Sequence, residues 1–593
     1  MLYPIQNDVR NRLDLSGIWD FQPDPEEVGA QSGWFNGLTQ ARPIAVPGSW
    51  NEQYEDLFNY FGLSWYARRT YIPAGWRGQR VFIRVGSACY RATVYINGVE
   101  VGSHEGGHLP FAFDITDVVQ WDAENLIVIS VENHLQPTRV PSANLSSPLG
   151  GGMLASYPRT SYDFFPFAGL HRPVVLFSVP PTHIEDVTVV TGISGADGTV
   201  KVTARLNQAL AASGSAVLTG GGRSVRAELS FAEGVAEATL TVPEARLWSD
   251  KDPFLYDLTV TAGDDRYTLQ VGIRTIEVQG GKILLNGRPV QLNGYGRHED
   301  FFASGKGLNL PVLVKDYQLM RWTGANAYRT AHYPYSEEEM QLADREGFLI
   351  IDETPATNLQ FESEEHAAER LRVCLQQLDE LIARDKNHPS VVMWSVANEP
   401  LPRDLRRATP SGEVDPTIER GRAFLETLVR RARQLDPTRP VTLAGVMGAP
   451  NDWMRECDVI CVNRYWGWYV FGGELEKALE HLDRELDDLW ATFNRPVIVT
   501  EFGADTVAGM HGHPALMWSE EYQAALIRGY LEVAARKEYV AGMQVWNFAD
   551  FAAVQSPMRV GGTNLKGVFT RARQPKMAAH VLREFWGAGR TTS

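Results

Sequence analysis

Cysteine is scarce, with four residues (Cys89, Cys374, Cys457 and Cys461) in a chain of 593. That is too few for a disulfide framework, so stability must come from packed cores. Cys457 and Cys461 lie four apart with no second pair and no matching histidines, which reads as buried thiols rather than zinc ligands. Long apolar runs are missing too. None approaches the ~18 residues of a membrane helix, and the opening MLYPIQNDVRNRLDLSG lacks a basic start followed by an apolar core. These readings point to a cytoplasmic protein with no membrane partner, and they leave the Asn-Leu-Ser sequon at Asn144 without a role. Basic tracts are absent as well. With 56 basic against 72 acidic residues the net charge is −16, the wrong sign for holding a nucleic-acid backbone.

Aromatic residues are plentiful: 16 Trp, 21 Tyr and 25 Phe. Such rings pack against the C–H faces of sugars, but they also fill cores, and composition alone favours cores.

Length gives a prior of three to four domains at about 150 residues each. Up to Val179, short segments such as LSWYARRTYIP, QRVFIRVGSA, RATVYING and LIVISVEN alternate apolar and polar residues, with turns such as Asn97-Gly98 between them. That pattern predicts a jelly-roll sandwich over 1–180, ended by Pro180-Pro181. A second all-β block over 181–280, with roughly seven strands in about a hundred residues, predicts an immunoglobulin-like sandwich. Over 281–593 strands alternate with long amphipathic helices. Eight buried strands are expected: 289–294, 326–330, 348–352, 390–395, 440–444, 458–462, 496–500 and 542–546. Eight βα units in this length predict a (β/α)8 TIM barrel. The Gly294-Tyr295-Gly296 run lacks the third glycine of a dinucleotide turn.

Catalytic groups of a barrel gather at the C-terminal ends of its strands. The fourth strand runs into VVMWSVANEP, delivering Asn398 and Glu399, and the seventh runs into VIVTEFG, delivering Glu501. Either glutamate alone reads as a solvated loop residue. Together they put two carboxylates at one mouth, which is what glycosidic cleavage requires.

The motifs VVMWSVANEP and VIVTEFGAD resemble glycoside hydrolase family 2, and NFADF with NLKGVFTRARQPK resemble its β-glucuronidase branch. The likeness spans the chain, including GIWDF, DFFPFAGLHRPV, GYGRHED and RTAHYPYSEEE. It implies a retaining exo-hydrolase in which Glu501 is the nucleophile and Glu399 the acid/base. Two neighbouring carboxylates do not both ionise cheaply, so Glu399 is expected to rise in pKa while Glu501 stays low. By the same resemblance Asn398 meets the sugar 2-hydroxyl, Asp163 and His332 hold other hydroxyls, and Tyr465 orients the nucleophile. Tyr469 and Trp546 then wall the subsite.

Sugar selection turns on C6. Asn564 and Lys566, one residue apart in RVGGTNLKG, match the branch's carboxylate reader, with Arg559 assisting. A lysine buried without its anion is costly, so a neutral sugar should be rejected for leaving that charge unpaired. The loop after strand three, PATNLQFESEEHAAERL, is short, so an open cleft and a large conjugate or oligosaccharide are expected. The expected ligand is a glucuronide conjugate, with no cofactor and no metal. His511-Gly512-His513 has no partner at metal-ligand spacing. Family members are commonly tetramers or dimers, so a homo-oligomer is expected. A β-galacturonidase is the same-class alternative. A non-catalytic carbohydrate binder is the other, and it would have no use for two competing carboxylates.

Overall fold

The computed structural model describes residues 2–143, 156–403 and 415–587, so Asn144 lies outside the described residues. Three units follow one another. In the first, a six-stranded sheet that includes Leu63–Thr70, Arg91–Ile96 and Asn125–Glu132 faces a four-stranded sheet of Asn11–Asp14, Arg80–Val85, Phe111–Asp114 and Val174–Val179. Trp19, Phe21, Tyr66, Val94 and Ile129 from one sheet meet Ile83, Val85 and Leu176 from the other in a shared core. The Arg91–Ile96 strand turns back at Asn97 and Gly98, with φ of 53° and 83°. A type I′ turn demands two such left-handed residues, and this pair supplies them at little steric cost.

The second unit pairs a three-stranded with a four-stranded sheet, seven strands in all. Its Asp197–Leu206 strand shows the reason: Val200, Val202, Ala204 and Leu206 are buried, while Lys201 and Arg205 face water.

The third unit is a closed parallel barrel of β1 (Leu292–Gly296), β2 (Ala327–Arg329), β3 (Leu349–Glu353), β4 (Val391–Asn398), β5 (Val441–Gly445), β6 (Ile460–Asn463), β7 (Val497–Glu501) and β8 (Val540–Val545). Pairing of Leu292 with Gly542 joins β1 to β8 and closes the ring. The strands read as near-continuous apolar runs because they are covered on both faces. Outside lie α1 (Leu310–Thr323), α2 (Glu337–Glu346), α3 (Glu364–Asp385), α4 (Pro416–Leu435), α5 (Leu475–Phe493), α6 (Glu520–Ala535) and α7 (Met577–Gly587). Side chains of Asn309, Ser336, Ser363, Asp415 and Ser519 accept from the first turn of α1, α2, α3, α4 and α6.

Two details depart from the expected pattern. The first barrel strand starts at Leu292, not Pro289. Arg288–Val290 is instead the edge strand of a small sheet, beside Lys282–Leu285 with Ile276–Gln279 on the far side, a place that tolerates Pro289. Ile276, Ile283 and Leu285 of this small sheet plug the barrel floor against Leu292, Ala327, Leu349 and Ile498. The turn between its first two strands falls at Gly280-Gly281, where the sequence had suggested a boundary. The second departure is the link from β5 to β6, which holds a short 3-10 turn, Asn451–Met454, in place of a helix. No helix among the described residues is long and apolar enough to cross a membrane.

Candidate active site

The mouth of the barrel is built from strand ends. Glu399 follows β4 directly, where the register with β5 shifts between Ser395 and Asn398. Glu399 itself adopts φ 48°, a left-handed conformation that a side-chain-bearing residue holds only when its surroundings impose it. Asn463, the last residue of β6, supplies part of that hold. Its Nδ2 donates to Asn398 Oδ1 and to Glu399 Oε1, each at 3.0 Å. Asn358 donates to Glu399 Oε2 at 3.3 Å, and Asn398 donates to Thr357 Oγ1 at 3.1 Å.

Glu501 ends β7 with different company. Tyr465 Oη donates to its Oε2 at 2.6 Å, and the guanidinium of Arg329, from the end of β2, donates to its Oε1. Arg329 also donates to Glu353 Oε1 at 2.6 Å, and Glu353 Oε2 accepts from Ser395 Oγ at 2.7 Å. His332 Nδ1 lies 2.9 Å from Glu353 Oε1. Burial opposes the charge on Glu353, but Arg329 and His332 hold it below the usual carboxylate range. Burial also lowers the His332 pKa, so the ring is neutral. Its Nδ1 stands between Glu353 Oε1 and Arg329 Nη1, the latter 3.0 Å away, and its Nε2 lies 3.6 Å from Glu501 Oε1. The ring stacks on Trp546 at 4.9 Å.

Burial raises both carboxyls of the pair. Burial raises Glu399, and its amide donors from Asn463 and Asn358 offset this only in part. Burial also pushes Glu501 up to about 8, with Arg329 pulling down and the charge of Glu399 pushing up. Burial is the larger cause and the neighbouring Glu399 charge adds to it, so the two carboxyls titrate as a pair. The donors decide where the first charge rests. A guanidinium and a phenol face Glu501, whereas only neutral amides face Glu399, so the ionised form sits on Glu501.

A second cluster flanks the pair. Asp163 reaches in from the first unit, and its Oδ2 accepts from Arg559 Nε at 2.9 Å, from Arg559 Nη2 at 2.5 Å and from Asn564 Nδ2 at 2.9 Å. Burial opposes its charge, yet the cations of Arg559 and Lys566 keep it below the ordinary range. Arg559 Nη2 also donates to Tyr469 Oη at 3.1 Å, and the Tyr469 ring meets that of Tyr465 at 5.1 Å. Lys566 is 1% exposed, with Nζ 4.9 Å from the centre of the Tyr469 ring. Its ammonium is already paired with Asp505, which corrects the expectation of a lysine left unpaired by a neutral sugar. The counter-ion is built in, so discrimination at C6 must rest on geometry and on the extra donors beside it.

All eleven residues singled out from the sequence thus join one contact network. The sequence reading missed Arg329, Glu353, Asn358, Asn463 and Asp505. The strand-end rule would have found three of them, because Arg329, Glu353 and Asn463 are the last residues of β2, β3 and β6. Each of the three stands to its strand as Glu501 stands to β7. Asp505 and Asn358 lie in loops and carry no such signal. Away from the mouth, His511 pairs with Glu521 at 2.9 Å, and no group of three His, Cys, Asp or Glu among the described residues could hold a metal ion.

Comparison with known proteins matches three family profiles in sequence order. "Glycosyl hydrolases family 2, sugar binding domain" covers 13–180, "Glycosyl hydrolases family 2" covers 182–274, and "Glycosyl hydrolases family 2, TIM barrel domain" covers 276–589. A β-glucuronidase of Paenibacillus borealis is 41% identical over 99% of this chain and 98% of its own length. One from Felis catus is 40% identical over 99% and 92%. The solved structure of a Ruminococcus gnavus β-glucuronidase in complex with D-glucuronic acid superposes with a TM-score of 0.89 at 39% identity, covering 99% of both chains.

Proposed function

The chain belongs to glycosyl hydrolase family 2, and on that premise we propose that it is an exo-acting β-glucuronidase that cleaves terminal β-D-glucuronides with retention. The observation that carries this reading is the meeting of two clusters at one barrel mouth. One is a carboxyl pair with unequal donors, and the other is a buried group of cations and amides, Arg559, Asn564 and Lys566, beside it.

In the first half-reaction Glu501, ionised and held by Tyr465 and Arg329, attacks the anomeric carbon. Glu399 gives its proton to the departing oxygen, and a covalent glycosyl-enzyme forms. Glu399, now charged, takes a proton from water, and the hydroxide equivalent displaces Glu501 with a second inversion. Asn398, locked by Asn463 and Thr357, presents its amide to the 2-hydroxyl, a contact that strengthens as the oxocarbenium-like transition state develops. Asp163 and His332 Nε2 take the remaining hydroxyls, and Trp546 backs the ring. The C6 carboxylate meets Lys566, Asn564 and Arg559 through charge-assisted bonds, about twice as strong as neutral ones. The short loop from β3 to α3 supports an open approach to Glu399 and a large conjugate or oligosaccharide as aglycone. Rates on small aryl glucuronides far above those on every larger conjugate would count against that part.

The test is hydrolysis of chromogenic β-glucuronide, β-galacturonide and β-galactoside side by side. Proton NMR of the glucuronide reaction should show the β-anomer released first. Preference for the galacturonide would move the assignment to the C4 epimer, preference for the galactoside would refute the C6 reading, and α-anomer first would refute retention.

A further inference from the structure

We propose that Asp505 is a positioning residue for uronate specificity: it fixes the Lys566 ammonium at one distance from the nucleophile. The inference rests on the reading of Lys566 as the C6 carboxylate contact. A lysine side chain is a flexible four-carbon stem ending in a point charge, so its position must be imposed from outside. Asp505 grips the 564–566 segment twice. Its Oδ1 accepts from Leu565 N at 2.9 Å, and its Oδ2 takes the Lys566 ammonium. Thr506 N donates to Leu565 O at 3.0 Å, and Lys576 Nζ bridges Thr506 O and Leu565 O at 2.9 Å each. Arg559 Nη1 stands 3.6 Å from the same Asp505 Oδ2. Asp505 is 1% exposed, so no water competes for these bonds.

The placement is a ruler. Glu501 acts at C1 and Lys566 reads C6, and the pyranose ring fixes the span between those atoms. Both groups are tied to one short segment, residues 501–505 at the end of β7. Loosening Asp505 therefore lets the ammonium drift relative to the nucleophile without moving the nucleophile itself.

The experiment compares an aryl β-glucuronide with the matching aryl β-xyloside, which has the same ring and no C6. Asp505→Asn keeps the bond to Leu565 N and removes the charge. The expected result is a roughly 10- to 100-fold fall in kcat/KM on the glucuronide, carried mainly by KM, with the xyloside changed by less than about threefold. In a Lys566→Met background the same substitution should leave the glucuronide-to-xyloside ratio within about twofold, because the two residues act as one unit. Equal losses on both substrates, or no loss on the glucuronide, would overturn the inference, as would additive effects in the double variant. Selective loss in Lys566→Met with none in Asp505→Asn sinks this inference alone. No selective loss in Lys566→Met sinks the C6 reading beneath it. If Asp505→Asn melts below the assay temperature, Asp505→Glu carries the same test, since it keeps the charge but moves it by one methylene.

Discussion

The phenol of Tyr465 donates to Glu501 at 2.6 Å from a point two residues beyond Asn463, the residue that holds Glu399. One strand end therefore positions both carboxyls, with a phenol for the group that stays charged and an amide for the group that holds the proton. A hydrogen bond to a charged acceptor contributes about 1.5–3 kcal/mol. Tyr465→Phe should lower kcat roughly 10- to 100-fold on that basis. The phenol reaches only the pocket, so the melting temperature should move little. Steady-state kinetics with a thermal melt checks both, and a large drop in stability with kcat preserved would refute the role.

The unequal donors also fix the pH profile. Glu399 works protonated and burial raises its pKa, so the rate is full below that raised pKa and is lost as pH rises through it. Glu501 works ionised, so the rate is lost again as pH falls through the lower step. Glu399→Gln cannot lose that proton. On an aryl glucuronide whose leaving group needs only partial acid help, the alkaline limb of the step forming the glycosyl-enzyme should vanish in the variant while its rate stays measurable. On an alkyl glucuronide the rate should fall by about 10²–10⁴. The pre-steady-state burst rate against pH is the measurement, and an alkaline limb that survives in Glu399→Gln would assign it to another group.

Much of this site was legible because barrels obey a positional rule. Alternation of apolar strands and amphipathic helices located β4 and β7, and the residues just past them were Glu399 and Glu501. What escaped were the partners. Glu353 stands just past its expected strand, as Glu501 does, but its partner Arg329 lies inside the expected second strand, so no pairing marked it out. Asp505 lies four residues past Glu501, in a loop whose path periodicity does not encode, and its pairing with Lys566 joins positions 61 apart. The rise of Glu501 escaped for a related reason: sequence shows that two carboxyls meet, but burial depends on everything packed around them. The first barrel strand was expected three residues early because Val290 precedes the apolar Leu292 at strand spacing, although Val290 pairs with Ile283 in the sheet beneath.

Gly296, at the end of β1, makes room for Trp546. A Cβ there would lie 2.6 and 2.8 Å from two atoms of the indole ring, closer than side-chain carbons approach one another. Gly296→Ala should therefore push Trp546 off its stack with His332 and tilt the wall behind the sugar. The expected result is a several-fold or larger loss of kcat/KM, with overpacking costing about 1–3 kcal/mol of stability. Tryptophan fluorescence quenching by a bound uronate analogue would report the displaced ring, and unchanged kcat/KM and quenching would mean that the site yields elsewhere.

The Asp505–Lys566 pair has a stability signature apart from its effect on specificity. Both side chains are 1% exposed. Replacing only the lysine leaves a carboxylate in a dry pocket, with Arg559 3.6 Å away and Lys576 as the neighbouring cations. Breaking a buried pair from one side costs about 3–5 kcal/mol, whereas replacing both partners is often near neutral. Lys566→Met alone should thus lower the barrel's melting temperature by several degrees. Lys566→Met with Asp505→Asn should recover most of that loss while staying as slow on glucuronides as Lys566→Met alone. Calorimetry on the two variants decides it, because equal melting temperatures in single and double variant would mean that Arg559 and Lys576 already neutralise Asp505.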